Sequence, residues 1–254
     1  MTVATARAGR RTAIVLLVVV VLLAGLAVAA EVLARVLVQQ QIRGLVVSQT
    51  NLPPDHDVDV GIPGLVLPQL IAGTLGEVRI ASDDVTAGPV TGDVDVRRTA
   101  VPVRGDAAAG PGEATVRLDE DELRALLATI DGFPADTVAL DAPDVTISVD
   151  LNLFGATLGI GVALRPGAAD GDVVLSPQSY RVGDANVDAQ DLRQRFGALA
   201  DPVVGEWRVC VAQDLPAALT LTDLRVEGDQ AVATFAIDGA IVSDETLRRP
   251  GTCD

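Results

Sequence analysis

An α+β chain, in which antiparallel strands follow a membrane-entering helix, is predicted by three observations. An uncharged run from Thr12 to Ala30 follows Arg10-Arg11. Short segments with apolar residues at every second position recur from Val58 to Ile237, separated by polar or Gly/Pro turns. Two acid-capped segments with helical apolar spacing interrupt them.

At the amino terminus, arginines precede the apolar run and Glu31 is the first charge after it. The positive-inside rule then places Glu31 onward outside the cytoplasm. The segment is either retained as an anchor or cleaved near Ala29/Ala30, where small residues suit a signal peptidase; its length favours retention. The expected division is therefore 1–30, cytoplasmic tip and transmembrane anchor or signal peptide, and 31–254, the extracytoplasmic domain. From Glu31, Val32, Leu33, Val36, Leu37, Ile42, Leu45 and Val46 stand against Arg35, Gln39, Gln40, Gln41 and Arg43, which fits an amphipathic helix. Asn51-Leu52-Pro53-Pro54-Asp55 breaks it.

The next stretch changes period twice. Val58, Val60 and Ile62 alternate as a strand that Pro63 stops. Leu67, Leu70 and Ile71 recur at helical spacing, Pro68 is tolerable in a first turn, and Gly73 suits a left-handed helix end. Val78 and Ile80 then resume the strand period. A strand from Val90 to Val103 has one wet and one dry face, and another runs from Ala114 to Leu118. Asp119-Glu120-Asp121-Glu122 reads as a capping box at a helix start rather than a metal cluster. Leu123, Leu126, Leu127 and Ile130 form its apolar stripe, and Gly132 ends it. Strands near Val145–Leu153, Ala156–Leu164 and Asp172–Leu175 follow, with Phe154-Gly155 in a turn. Tyr180 to Val187 is strand-like, Asp188 with Asp191 imitates the earlier cap, and Leu192, Phe196 and Leu199 precede a stop at Asp201-Pro202. The spans Val116–Ile130 and Val187–Ala200 look like corresponding units. Leu219–Val226 and Ala231–Ile237 form a closing hairpin.

Composition narrows the function. Of 254 residues, 35 are acidic and 19 basic, all of the latter arginine, for a net charge of −16. Such a surface repels phosphate polymers, so nucleic acid is not an expected partner. With one Trp, one Tyr and four Phe, a large apolar cavity would be aliphatic. Cys210 and Cys253 most economically form a disulfide outside the cytoplasm. The single histidine, His56, lies in a turn entering a strand, and neither a triad, a zinc pattern nor a nucleotide loop is present. No enzymatic activity, metal or cofactor is expected.

Gly61-Ile62-Pro63, the leucine-rich helix, Gly73 and Glu77-Val78-Arg79-Ile80 resemble the LmeA-like phospholipid-binding family of actinobacterial cell-envelope proteins. So do the amino-terminal membrane segment, the Val116–Leu127 unit, and Cys210, Leu215-Pro216, Leu219-Thr220-Leu221 and Gly251-Thr252-Cys253. The resemblance implies one half of a tubular lipid-binding fold: a long helix wrapped by a strongly curved antiparallel β-sheet with an apolar groove. It also implies binding of anionic phospholipid and support of lipoglycan elongation.

The expected function is thus a membrane-associated phospholipid-binding protein of the cell envelope, with phospholipid or a lipoglycan precursor as partner. Leu65, Leu67, Leu70, Ile71, Val78 and Ile80 are the candidate lipid contacts. Arg79, Arg97 and Arg98, with Arg104, are candidate headgroup donors, against the competing reading of surface arginines as solvation. The alternative is a non-catalytic accessory protein that docks a membrane biosynthesis enzyme through its apolar helix.

Overall fold

The computed structural model describes residues 5–50, 56–87, 90–104, 107–130, 132–153, 156–183, 185–197 and 204–253. The Asn51–Asp55 break, the Phe154-Gly155 turn and the stop at Leu199 and Asp201-Pro202 lie outside them. A single helix, α1 (Thr5–Thr50), joins the apolar run to the amphipathic segment without interruption. Within it Leu16–Leu45 is long and apolar enough to cross a membrane. Residues 16–29 are exposed throughout, whereas Ala34, Val38 and Ile42, four residues apart, pack on protein.

The strands follow in order. β1 (Asp59–Gly61), helix α2 (Val66–Ala72), β2 (Thr74–Ala87), β3 (Val90–Pro102) and β4 (Gly112–Asp119) lead to helix α3 (Glu120–Leu127). β5 (Ala139–Asp141), β6 (Asp144–Leu153), β7 (Ala156–Ala169), β8 (Asp172–Val182) and β9 (Ala185–Asp188) lead to helix α4 (Ala189–Phe196). β10 (Trp207–Val209), β11 (Leu219–Glu227) and β12 (Gln230–Ile237) complete the order. All pairings are antiparallel. The first sheet runs β1-β2-β3-β4-β12-β11, and the second β10-β8-β7-β6-β5, with β9 also pairing β8. The first sheet therefore takes its last two strands from the end of the chain, and its edge strand β11 lies against β7 of the second. A bridge between Gly171 and Leu221 joins the two. Neither sheet closes on itself, as expected for a wrapped-sheet α+β fold.

Helix ends follow local chemistry. α2 is bracketed by Gly64 (φ 78°) and Gly73 (φ 79°), left-handed positions that glycine occupies without steric cost. α3 opens with the predicted capping box: the Asp119 carboxylate accepts from the Glu122 N–H at 2.8 Å, and the Glu122 carboxylate from the Asp119 N–H at 2.8 Å. Its apolar stripe is only half-buried, and Ile130 is exposed, because α3 covers β3, β4 and β12 from one side alone. The expected strand from Tyr180 to Val187 is instead a hairpin. Gly183 (φ 58°) reverses the chain between Val182 and Ala185, which pair directly, and a two-residue turn of this kind favours left-handed residues. Cys210 and Cys253 are bonded, which ties the chain end to the start of β10's outgoing loop.

Candidate lipid-binding surface

Cross-strand registers show which residues share a face of the first sheet, since directly opposed residues project to the same side. One row reads Val60, Ile80, Val96, Ala114, Phe235 and Leu221, apolar across all six strands. Two residues along β2, β3, β4 and β12 towards the β4–α3 end, and three along β11, where a bulge shifts the register, the next row reads Ser82, Val94, Val116, Ala233 and Leu224. On the other side of the first lies Val78, Arg98, Gly112, Ile237 and Leu219. The intervening rows face the opposite way and are polar: Arg79, Arg97, Glu113, Ala236 and Thr220, then Asp59, Ala81, Asp95, Thr115 and Thr234. The sheet is amphipathic, with one aliphatic face and one charged face.

The second sheet repeats the arrangement. Leu140, Val145, Leu164 and Pro177 form one apolar row, Ile147, Val162, Tyr180 and Val187 another, and Val149, Ile160, Val182 and Ala185 a third. Between them project Thr146, Ala163, Ser179 and Asp188, and Ser148, Gly161, Arg181 and Asn186.

An amphipathic sheet normally buries its apolar face against another layer. Here the cover is partial. Val58, Val60, Ile62, Val66, Leu75 and Val78 form a buried cluster under α1 and α2, but Val94, Val96, Val116, Ala233, Phe235 and Leu224 remain partly exposed. In the second sheet, Tyr180 and Leu192 of α4 pack on Ala189 and Val204, while Val149 and Val182 stay open. The accessible surface is 16281 Å², against roughly 10,600 Å² for a compact chain of this mass. Part of the excess is the bare portion of α1.

The candidate lipid contacts divide. Val78 is buried, and Ile80 and Leu70 pack on its cluster. Leu67 is half-buried. Leu65 and Ile71 are 64% and 87% exposed and belong to no cluster among the described residues. The candidate headgroup donors divide as well. Arg79 and Arg97 are opposed to each other on the charged face, ion-paired with Glu77 and with Asp95 (3.3 Å) respectively. Arg98 alone lies on the apolar face. It donates to the carbonyls of Asp238 (3.3 Å) and Gly239 (3.0 Å), and its Nε is buried without a hydrogen-bond partner. Burial pulls its pKa down from the ordinary arginine value, and the nearby Asp238 offsets this in part. Arg104 is exposed just beyond β3.

A polar ladder that the helical period does not reveal holds α1 to β1 and α2. The Glu31 carboxylate accepts from the N–H groups of Val66 (2.6 Å) and Leu67 (2.9 Å), capping α2 from another helix. Arg35 donates to the carbonyls of Ile62 (2.8 Å) and Gly64 (2.5 Å), Gln39 to that of Val60 (2.6 Å), and Arg43 to the Asp57 carboxylate (2.6 Å). These four side chains are spaced by four residues and so share one face of the helix. That spacing was the available signal, hidden because the same residues also serve as the polar side of an amphipathic pattern.

The remaining chemical candidates are occupied structurally. The Asp119–Glu122 cluster is spent on the cap, on Arg124, and on the Leu140 N–H, which donates to Glu120 at 2.8 Å. Ser82 donates to the Asp57 carbonyl (2.9 Å), which leaves His56 Nε2 as donor to the Ser82 hydroxyl at 3.0 Å.

The arrangement offers an extended aliphatic surface with the half-buried Arg98 on it. The chain matches no curated protein and no solved structure among those compared. A family model described as LmeA-like phospholipid-binding matches residues 29–236. That span takes in the lower part of α1, both sheets and nearly all of β12, and the chain belongs to the LmeA-like phospholipid-binding family.

Proposed function

We propose that the chain holds phospholipid acyl chains on the partly open apolar faces of its two sheets, on the outer side of the membrane that α1 enters. The observation that carries this reading is the row Val60–Ile80–Val96–Ala114–Phe235–Leu221, uniformly apolar across six strands and only partly covered. Burial of acyl chains contributes about 0.8 kcal/mol per methylene, so such a face needs no special chemistry to retain a two-chain lipid. Residues 31–254 form the lipid-binding part, with Leu67, Leu70, Val78 and Ile80 at the α1 end of the face. Leu65 and Ile71 contact lipid outside it. Arg98 is the headgroup donor of the face, since an anion beside it would offset the desolvation of its guanidinium; Arg79 and Arg97 are instead spent on Glu77 and Asp95 on the charged side.

The disulfide between Cys210 and Cys253 supports an oxidising, extracytoplasmic location, as do the arginines that precede the apolar run. In an actinobacterial envelope this activity would supply or position phospholipid, or a lipoglycan precursor, for envelope assembly. The test is photolabelling of the full chain in nanodiscs that contain a phospholipid with a photoactivatable acyl chain. Adducts are expected on Val94, Val116, Ala233 and their neighbours. Adducts confined to residues 12–30 would overturn the reading and favour a protein that docks a membrane enzyme.

A further inference from the structure

The chain from Asp57 to Leu67 runs beside α1 towards the apolar run. Arg43 meets Asp57, Gln39 meets Val60, Arg35 meets Ile62 and Gly64, and Glu31 meets Val66 and Leu67. Glu31 is the first charge beyond the uncharged segment Thr12–Ala30. α2 therefore begins level with the point at which α1 leaves the hydrocarbon, to within about one helical pitch of 5.4 Å. No charged residue occurs between Asp59 and Glu77, so nothing in this stretch resists partial immersion. Leu65 and Ile71 are among the most exposed large apolar side chains outside the amino-terminal run. The Val103 N–H donates to the Gly73 carbonyl at 3.0 Å, which brings the exposed Arg104 to the same end of the molecule. An apolar tip flanked by a cation matches the layering of acyl chain and phosphate at a membrane surface.

We propose that α2 is seated in the leaflet from which α1 emerges, with Leu65 and Ile71 among the acyl chains and Arg104 at the phosphates. The first sheet then opens onto the bilayer at its Gly73–Leu75 and Val101–Arg104 end. A lipid passes between membrane and sheet without crossing bulk water. The surface that α2 presents is thus occupied by lipid, not by a partner protein. This inference rests on α1 spanning a membrane, and it deepens the lipid-binding reading by naming the source of the lipid.

Fluorescence tests it with the full chain in phosphatidylcholine vesicles. Trp207→Phe removes the only tryptophan, and Ile71→Trp or Asp229→Trp restores one. Asp229 sits in the exposed β11–β12 turn, at the opposite end of the first sheet. Brominated acyl chains are expected to quench the Ile71→Trp variant at least about twofold more than the Asp229→Trp variant, with iodide showing the reverse order, for a residue about 5–10 Å below the headgroup boundary. Equal quenching of the two variants by both agents overturns the seating of α2. Photolabelling in the same vesicles separates the two claims. Adducts on Val116, together with an Ile71→Trp indole open to iodide, sink the seating alone. An Ile71→Trp indole in lipid, with no adduct on either sheet, sinks lipid holding by the sheets and leaves the seating intact.

Discussion

In the first sheet the row from Val60 to Leu221 begins beneath α1, whereas in the second the row Ile147–Val162–Tyr180–Val187 meets the short helix α4 at its Tyr180 end. Both sheets arise from the same local rule, alternation at a period of two. Both meanders also end in an acid-led helix. The difference lies in how the covers are fastened. α1 is fixed by four side chains that reach strand and loop backbone or carboxylate. α3 carries a complete capping box, and its Arg124 and Glu120 also grip Val138 and Leu140 at the start of the second sheet. α4 has no side-chain bond at its Asp188 cap; Arg193, which donates to the Val204 carbonyl at 2.6 Å, fastens it from the side. Similar patterns thus produce one firmly docked end and one loosely docked end.

The largest effect is expected at the loop closed by Cys210 and Cys253, 43 residues apart. Cys210→Ser with Cys253→Ser should lower stability by about 3–4 kcal/mol in the chain-entropy model. Urea denaturation in detergent reads this, and hydrogen exchange should rise first in β10 and the last turns, not in β1 and β2. Ile62→Ala in the first sheet's cluster and Leu164→Ala in the second, both essentially buried, should each cost about 3 kcal/mol, the middle of the range for such truncations. A clearly smaller loss at Leu164 would show that the second sheet relaxes around the cavity, sharpening the contrast in rigidity.

Caps come next. Asp119→Ala should cost about 1 kcal/mol by removing the capping bond. Asp188→Ala should cost well under half of that, because no side-chain bond is lost; equal losses in a thermal melt would erase the distinction between the two helices. The smallest effect on folding is expected among the arginines of the charged face. Arg79→Gln and Arg97→Gln should leave both the melt and anionic-lipid photolabelling unchanged, as exposed ion pairs contribute about 0–1 kcal/mol. Arg98→Gln should reduce the labelling. Labelling that falls with Arg79 or Arg97 instead would transfer the headgroup role to the opposite face.

Leu70→Asp bears on the boundary between the docked and open parts. Leu70 packs on the Val60–Val78 cluster, so the variant should destabilise the fold as well as weaken lipid retention. Val116→Asp, on the open part of the face, should lose lipid with a smaller fall in melting temperature. Equal destabilisation by the two would mean that the face is closed by the protein itself.

Much was legible in the residues alone, because it depends on near neighbours in the chain. The apolar run and its flanking charges, the Asp119–Glu122 box, the left-handed Gly73, the closing hairpin and the Cys210–Cys253 pairing are of this kind, set by spacing of a few residues or by a simple count. Three features were not. Arg79 and Arg98 look equivalent in sequence, but a strand's period of two puts them on opposite faces, and only the register across β2, β3 and β4 tells which face is apolar. Gly183 reads as an interior strand residue until the pairing of Val182 with Ala185 makes it a turn. Glu31, Arg35, Gln39 and Arg43 look like solvated helix positions until a segment some 14 to 36 residues later supplies backbone partners for the first three and a carboxylate for Arg43. Local chemistry determined the strands, helices and caps; contacts distant in sequence, whose geometry no short window contains, decided which surfaces are covered and which stay open.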